Sequence, residues 1–149
     1  MTRIVESVLI ERPVSEVFRY ATDCQNIPRY FTYVREARLR GTEVSAGRPV
    51  LECRVLVAGL PLRSVWTTDC FEADERWEVI APLLGIPARK SWVFSPEGAA
   101  TRVTFTIDYK ATPFYMAAGD VLVFRPFFKR AYRQGMSNLK RLLQPGDLR

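Results

Sequence analysis

Short segments in which apolar and polar side chains alternate make up most of this chain. The first, residues 4–11, is rich in β-branched residues, which favours a strand. Glycine, proline and short polar clusters typical of turns separate the segments that follow. We predict six further strands, at 34–42, 49–58, 62–72, 76–81, 88–95 and 101–110. Because the breaks between them are short, consecutive strands are expected to pair in an antiparallel meander.

The spacing of apolar residues changes to three and four in two places. Between the first two strands it predicts a short amphipathic helix over 13–21 and a second helical turn that ends at Ile27-Pro28. Near the C-terminus it predicts a long amphipathic helix over 127–143, with Pro126 at its start or at a kink and Pro145-Gly146 after its end. The sequence therefore predicts an α+β domain in which a curved seven-stranded antiparallel sheet surrounds a long C-terminal helix, with two short helices after the first strand.

Charged residues distinguish the two faces of each predicted strand, because a half-buried antiparallel sheet is apolar on one face only. The uncharged rows, together with the apolar stripe of the long helix, give the residues expected between sheet and helix. These candidate ligand-binding residues are Trp66, Cys70, Trp77, Trp92, Phe94, Phe105, Tyr109, Phe128, Tyr132 and Met136. A sheet curved around a single helix closes imperfectly, so we expect a cavity between the two.

Composition removes several classes of site. The chain has no histidine, which excludes Ser-His-Asp and Cys-His nucleophilic machinery and the commonest metal ligand. The sequence contains no calcium-loop pattern and no acidic cluster, so we expect neither a metal site nor a cofactor. Cys24, Cys53 and Cys70 form no short Cys-x-x-Cys pair, and we interpret them as small buried hydrophobic residues in a reducing compartment.

The net charge of +6 would by itself point to an anionic partner. The basic residues are spread along the whole chain, however, and without a nucleic-acid motif we expect no nucleic-acid binding. The N-terminus lacks the apolar core of a signal peptide, and no stretch is long enough to span a bilayer, which predicts a cytoplasmic protein. With 149 residues and no linker or repeat, the chain is expected to form one domain, 1–149.

Three segments carry a resemblance to a known family. They are IERPVSEVF at 10–18, DCQNIPRYF at 23–31 and NLKRLL at 138–143. In this order, and matched to the predicted elements, they resemble the START-like (SRPBCC) superfamily, and within it the polyketide cyclase/dehydrase and lipid-transport group. The resemblance implies a helix-grip fold. It also implies one of that group's functions, which include lipid carriers, hormone and quinone binders, and aromatase/cyclases that act on polyketide chains.

The aromatase/cyclases of this group place a pocket tyrosine just after the second short helix and a pocket arginine on the strand that follows a Gly-Leu-Pro turn. In this chain the tyrosine position is held by Val34, with Tyr33 beside it, and the arginine position by Cys70. A valine and a thiol cannot protonate or anchor an enolate as tyrosine and arginine can. The same alignment keeps Trp66 and Cys70 on the inward face, in agreement with the charge pattern.

Few polar groups are expected near the cavity. Lys90 is the one charge on an otherwise uncharged inward row, so it either anchors an anionic head group, acts as a base of depressed pKa, or reaches water at a strand end. The candidate catalytic residues are Tyr30, Tyr33 and Lys90. Glu6 is either a buried base or an ordinary surface carboxylate.

The stretch 113–125 is more apolar than one helix face requires. It is interpreted in three ways: as a mobile lid with Gly119 as its hinge, as a surface that touches a membrane transiently, or as a segment that packs on the short helices. Membrane contact would be helped by Arg125, Lys129 and Arg130.

Three hypotheses of function follow. The leading one is a binder of a hydrophobic small molecule, such as a lipid, quinone, isoprenoid or polyketide, with little or no catalysis. The first alternative is a polyketide cyclase, aromatase or dehydratase that holds a bound intermediate in a near-attack conformation and uses Tyr30, Tyr33 or Lys90 as acid or base. The second is a module that binds a protein partner through its basic surface.

Overall fold

A computed structural model describes residues 2–40, 48–110 and 119–144 of the chain. One sheet contains seven strands, which are β1 (Thr2–Ile10), β2 (Val34–Leu39), β3 (Val50–Val57), β4 (Leu60–Glu72), β5 (Arg76–Ile80), β6 (Ala88–Glu97) and β7 (Ala100–Tyr109). All neighbours are antiparallel, in the order β1-β7-β6-β5-β4-β3-β2. The predicted seven-stranded antiparallel sheet is therefore confirmed, and strands β2 to β7 form the predicted meander.

Within the ranges that the structure describes, three α-helices lie on one face of this sheet. The short helices α1 (Val14–Ala21) and α2 (Ile27–Tyr30) follow β1, and the long helix α3 (Arg125–Leu143) closes the fold after a π-helical turn at Asp120–Phe124. Pro126 lies in the first turn of α3, directly after the π-helical turn, which agrees with the predicted start of the long helix. Residues 41–47, at the break between the strands predicted at 34–42 and 49–58, lie outside the described residues, and so does the Pro145-Gly146 pair predicted to follow the long helix.

The buried face of α3 follows the spacing that the sequence predicted. Its buried apolar residues are Phe128, Tyr132, Met136, Leu139 and Leu143. The helix packs on β1, on β7 and on α2. Its C-terminal end is fixed by polar contacts, because Asn138 Nδ2 donates to the Tyr30 carbonyl at 3.1 Å and Arg12 Nε donates to the Leu143 carbonyl at 2.9 Å. These contacts join the end of the long helix to α2 and to the connection between β1 and α1.

A β-bulge in β4 overturns one prediction. The pairing of β4 with β5 shifts between Thr68 and Cys70, so that Cys70 lies opposite Glu78 and Phe71 lies opposite the buried Trp77. An extra residue in a strand exchanges the two faces for everything beyond it. The prediction that Cys70 faces inward is therefore wrong: its Sγ lies 3.2 Å from Glu72 Oε1, on the outer face. Cys53 is buried as expected, whereas Cys24 and Cys70 are partly exposed.

Helix α3 lies directly against the end of α2 at Gly135. A Cβ added to Gly135 would lie 2.2 Å from Cδ1 and 2.3 Å from Cε1 of Phe31. The Phe31 ring is fully buried and is held by the rings of Trp92, Phe105 and Tyr132 at centroid distances of 4.9 to 6.1 Å. Only glycine at this position therefore lets the helix lie against the ring.

We expect Gly135→Ala to lower the free energy of unfolding by about 1–3 kcal/mol, because the added methyl overpacks a rigid aromatic site. This loss outweighs the roughly 1 kcal/mol by which alanine is the better helix former. Urea unfolding measures the change. Ser137→Ala, at an exposed site of the same helix, is the matched control and should stay within about 0.5 kcal/mol. A Gly135→Ala protein more stable than the unmodified chain would contradict the contact with Phe31.

Candidate functional site

A cavity of about 190 Å³ lies between the sheet and the first half of α3. Its wall on the sheet side is formed by Val55, Ser64, Trp66, Ala81, Ala88, Lys90, Ile107 and Tyr109. The remaining lining comes from Tyr33, from the β5–β6 loop (Leu83, Leu84 and Ile86), and from Gly119, Phe124, Phe128 and Tyr132. An apolar cavity of about 150 Å³ already holds a benzene molecule. The space described here therefore accepts one or two rings or a short hydrocarbon chain.

The structure divides the ten predicted ligand-binding residues into two groups. Those that line the cavity are Trp66, Tyr109, Phe128 and Tyr132. Those that do not are Cys70, on the outer face, and Trp77, Trp92, Phe94, Phe105 and Met136, which are buried in the core. Trp77 and Trp92 stack on each other at 4.5 Å, and Phe94 packs against Phe18 of α1 at 5.1 Å. Alternation identifies which face a residue occupies but not its position along the strand, and the cavity occupies one end of the inward face.

Lys90 is enclosed in this cavity, because β6 places it on the inward row between Ala88 and Trp92. The residue is only 5% exposed, so it does not reach water at a strand end. Its Nζ donates a hydrogen bond of 2.7 Å to the hydroxyl of Tyr33 and lies 4.1 Å from the centroid of the Trp66 ring. Two of the three roles predicted for Lys90 therefore remain: it anchors an anionic head group, or it acts as a base.

No carboxylate among the described residues pairs with Lys90. Its hydrogen-bond partner is the neutral Tyr33, and the nearby titratable group is the thiol of Cys53. Burial in an apolar environment disfavours the charged form of an amine. It lowers the pKa of Lys90 to about 7. Near neutral pH the cavity therefore contains an amine that is readily protonated and readily deprotonated.

Two buried tyrosines, Tyr33 and Tyr132, extend the row of polar groups that begins at Lys90. The hydroxyl of Tyr33 lies 3.4 Å from that of Tyr132 on α3, so the three side chains form a chain of polar groups along the cavity. Burial raises the pKa of both tyrosines, and both hydroxyls stay protonated at neutral pH. Tyr33 occupies the turn between α2 and β2, and its carbonyl accepts a hydrogen bond from the Leu56 amide at 2.8 Å.

Two other candidates lie away from the cavity lining. The hydroxyl of Tyr30 donates to the Ala21 carbonyl at 2.5 Å and ties α2 to α1, so the structure gives this tyrosine a packing role. Glu6 on β1 pairs with Arg133 of α3 at 3.7 Å. Of the candidate acid and base residues, only Tyr33 and Lys90 line the cavity.

The sequence pattern did not reveal the lining supplied by the β5–β6 loop. Residues 82–87 were predicted only as a hairpin turn, yet Leu83, Leu84 and Ile86 face the cavity. Leu83 and Ile86 exchange two backbone hydrogen bonds of 2.9 Å, which holds the loop in place. Turns are usually built from glycine, proline, asparagine, aspartate and serine. The presence of three large aliphatic residues in one predicted turn was the sequence signal that could have indicated a cavity-lining loop.

The stretch 113–125 is described only in part, since 113–118 lie outside the described residues. Gly119 and Phe124 line the cavity, whereas Leu122 is 77% exposed. The lid, the hinge at Gly119 and the membrane contact stay predictions. No helix in the described part of the chain is long and apolar enough to cross a bilayer. The described residues contain no cluster of three or more side chains of the types that bind metals.

Comparison with known proteins identifies the family. The sequence model of the polyketide cyclase/dehydrase and lipid transport family matches residues 1–144. The chain belongs to this family. The sequence matches no curated protein.

Solved structures of other members of the START-like superfamily show the same helix-grip fold. A protein from Thermus thermophilus, TTHA0849, is 19% identical with a TM-score of 0.80 over 97% of this chain and 99% of its own. The Zhui aromatase/cyclase from Streptomyces sp. R1128 is 14% identical with a TM-score of 0.77 over 96% and 93%. A START superfamily protein from Mycobacterium smegmatis is 14% identical with a TM-score of 0.67 over 92% and 98%. At these identities the likeness establishes the fold alone.

Replacing Lys90 with methionine is expected to stabilise the protein at neutral pH. The pKa of Lys90 is about 7 in the folded chain, below the ordinary lysine value near 10.4 in the unfolded chain. Between these values the unfolded chain binds one more proton, so the stability of the unmodified protein rises with pH. The free energy of unfolding of the unmodified protein should therefore increase, relative to that of Lys90→Met, by about 1 kcal/mol for each pH unit between pH 7 and 9.

Urea unfolding of both proteins at pH 7, 8 and 9 measures this difference. Lys129→Met, at an exposed position of α3, is the control, and its difference from the unmodified protein should not change with pH. A pH-independent difference for Lys90→Met would show that the amine of Lys90 titrates outside this range.

Proposed function

We propose that this protein binds a hydrophobic small molecule, of the lipid, quinone, isoprenoid or polyketide class, in the cavity between the sheet and α3. The observation that carries the proposal is an apolar cavity into which a single array of polar groups, from Lys90 to Tyr33 and Tyr132, converges. Small-molecule sites characteristically combine a mostly apolar lining with a few placed polar groups. The family, whose name includes lipid transport, supports the same function.

Within this proposal the residues divide into two roles. Trp66, Tyr109 and Phe128 offer apolar and aromatic surface to the body of the ligand. Tyr33 and Lys90 orient the end of the ligand that is buried deepest. A longer molecule would extend past Leu83 and Leu84 of the β5–β6 loop.

A comparison of free energies indicates that the polar groups Lys90 and Tyr33 contribute to the affinity for the ligand. A two-ring ligand that loses about 200 Å² of apolar surface gains about 5 kcal/mol. A Kd of about 1 μM requires about 8 kcal/mol, and association has further entropic costs. Apolar contact alone therefore falls short of micromolar affinity in a cavity of about 190 Å³. The remainder has to come from hydrogen bonds or charge at Lys90 and Tyr33, or from contacts outside the cavity.

Native mass spectrometry of freshly purified protein, followed by solvent extraction, tests the proposal. We expect a stoichiometric apolar molecule on the unmodified protein and none on Ala81→Leu, which fills the cavity at a buried lining position. Ala99→Leu, at an exposed position in the β6–β7 turn, is the matched control and should keep the molecule. An unmodified protein that is isolated empty and also binds no apolar fluorescent probe would contradict the proposed function.

A specific observation favours a second candidate, a polyketide cyclase or dehydratase. The chain of Lys90, Tyr33 and Tyr132 joins an amine to two protonated hydroxyls inside one cavity. The neutral amine could remove a proton next to a ketone while the Tyr33 hydroxyl donates to the developing enolate oxygen. The Zhui structure, named as an aromatase/cyclase, shares the fold.

The second candidate predicts a loss of rate without a loss of binding. With a synthetic poly-β-ketone thioester as substrate, we expect Tyr33→Phe to slow cyclisation about 100-fold or more while the Kd changes little. The rate of the unmodified protein should rise through pH 7, because the base is the deprotonated form of Lys90 and its pKa is about 7. Product analysis by mass spectrometry measures the rate. Equal rates for Tyr33→Phe and the unmodified protein would exclude this role of Tyr33.

A further inference from the structure

The buried end of the cavity has donors without matching acceptors. Lys90 has three N–H groups when it is charged, and one of them is used by the Tyr33 hydroxyl. The Ser64 hydroxyl is directed away, because it donates to the Pro82 carbonyl at 2.8 Å. Among the described residues no carboxylate approaches the Lys90 amine within ion-pair distance. The complementary group for this end of the cavity is therefore an oxygen that accepts hydrogen bonds and carries negative charge.

We propose that the ligand is a hydrophobic acid whose single anionic oxygen group, a carboxylate, phenolate or enolate, pairs with Lys90 at the buried end of the cavity. This inference rests on the proposed function and names the chemical class of its ligand. A buried amine without a counter-ion is costly, and an anionic ligand removes that cost when it binds. The ring of Trp66, 4.1 Å from Nζ, already favours a cation at this position.

The lining also limits the size of the anionic group. Lys90 is the one cationic side chain among the lining residues, and the rest of the lining is apolar or carries neutral hydroxyls. A phosphate group bears up to two charges and several acceptor oxygens, and most of these would be buried here without partners. The cavity therefore fits a monovalent organic acid and does not fit a phospholipid head group.

The charge state of the site near neutral pH depends on Lys90. The titratable groups that face it are Tyr33 from the turn before β2, Tyr132 from α3, Tyr109 from β7 and Cys53 from β3. Burial raises the pKa of Tyr33 and Tyr132, and it raises that of Cys53 to about 12, so these three stay uncharged. Binding of an acid above pH 7 then requires Lys90 to take up a proton.

Two probes of nearly the same shape separate charge from apolar contact. 2-Naphthoate carries a carboxylate, and 2-naphthamide replaces it with a neutral amide. Calorimetric titration of the full chain at pH 6.5 and 8.5 measures the Kd of each. We expect naphthoate to bind at least tenfold more tightly than naphthamide at pH 6.5. We also expect naphthoate to weaken at least tenfold by pH 8.5, because Lys90 deprotonates in between, while naphthamide does not weaken.

The matched variants locate the effect. Lys90→Met should weaken naphthoate about 100-fold, remove its pH dependence and leave naphthamide within about threefold. Lys129→Met, which removes the same charge from the exposed face of α3, should behave as the unmodified protein. Thermal unfolding of each variant confirms that it is folded.

The outcomes distinguish the two proposals. If naphthamide binds as tightly as naphthoate and neither depends on pH, the acid inference is overturned while the cavity remains a binding site for apolar molecules. If naphthoate binds equally well to Lys90→Met, the anion is held elsewhere and the inference is overturned. If neither probe binds, both the inference and the proposed function fail.

Discussion

The seven-stranded sheet has one apolar face that must be covered, and the rest of the structure follows from this constraint. The helices of the described residues that cover it are unequal in length and unevenly placed. Helices α1 and α2 and the C-terminal half of α3 cover one end of the face with tightly packed rings. At the other end, in the part of the chain that the structure describes, the first half of α3 and the β5–β6 loop border the cavity. Interiors pack as densely as organic crystals wherever side chains can meet. The cavity lies at the end of the face that α1 and α2 do not line.

The close contact between Gly135 and Phe31 determines how far this space extends. It brings α3 onto α2 at one end, and the hydrogen bond from Asn138 to the Tyr30 carbonyl holds the same junction. The first half of the helix then extends beyond α2, above Lys90 and Trp66. Tyr33 lies at the boundary, where its ring meets Phe31 at 6.0 Å and its hydroxyl faces the cavity. Packing and the candidate site thus depend on the same few residues around the end of α2.

Under the proposed function, stability and ligand binding make opposite demands on Lys90. A buried amine without a counter-ion weakens the folded state, and an apolar side chain of similar length would fill the same space. Sites that bind or react often retain such unfavourable groups, since stability beyond the required threshold brings no further advantage. The chain of hydroxyls from Tyr33 to Tyr132 reduces the cost by supplying one hydrogen-bond partner for the amine. Under the proposed function, the remaining N–H groups of the amine are available to a ligand.

Local pattern was sufficient to predict the elements of this protein. Alternation and helical spacing predicted seven strands, two short helices and the long one, because each element has to show one apolar side to a common core. The same pattern placed Trp66, Trp77, Trp92 and Lys90 on the inward face, as the structure has them. The family segments predicted the fold that the matching family and structures confirm.

Only the tertiary structure decided what those inward residues do. Alternation carries no information on position along a strand, so it could not separate Trp66, which lines the cavity, from Trp77 and Trp92, which stack in the core. A bulge of one residue moved Cys70 to the outer face, and nothing local in β4 marks it. Whether Lys90 reached water or stayed enclosed depended on Tyr33 and α3, which are distant in sequence. The face on which a side chain lies is a local property of the chain. The cavity and the pKa of Lys90 instead depend on where elements distant in sequence meet.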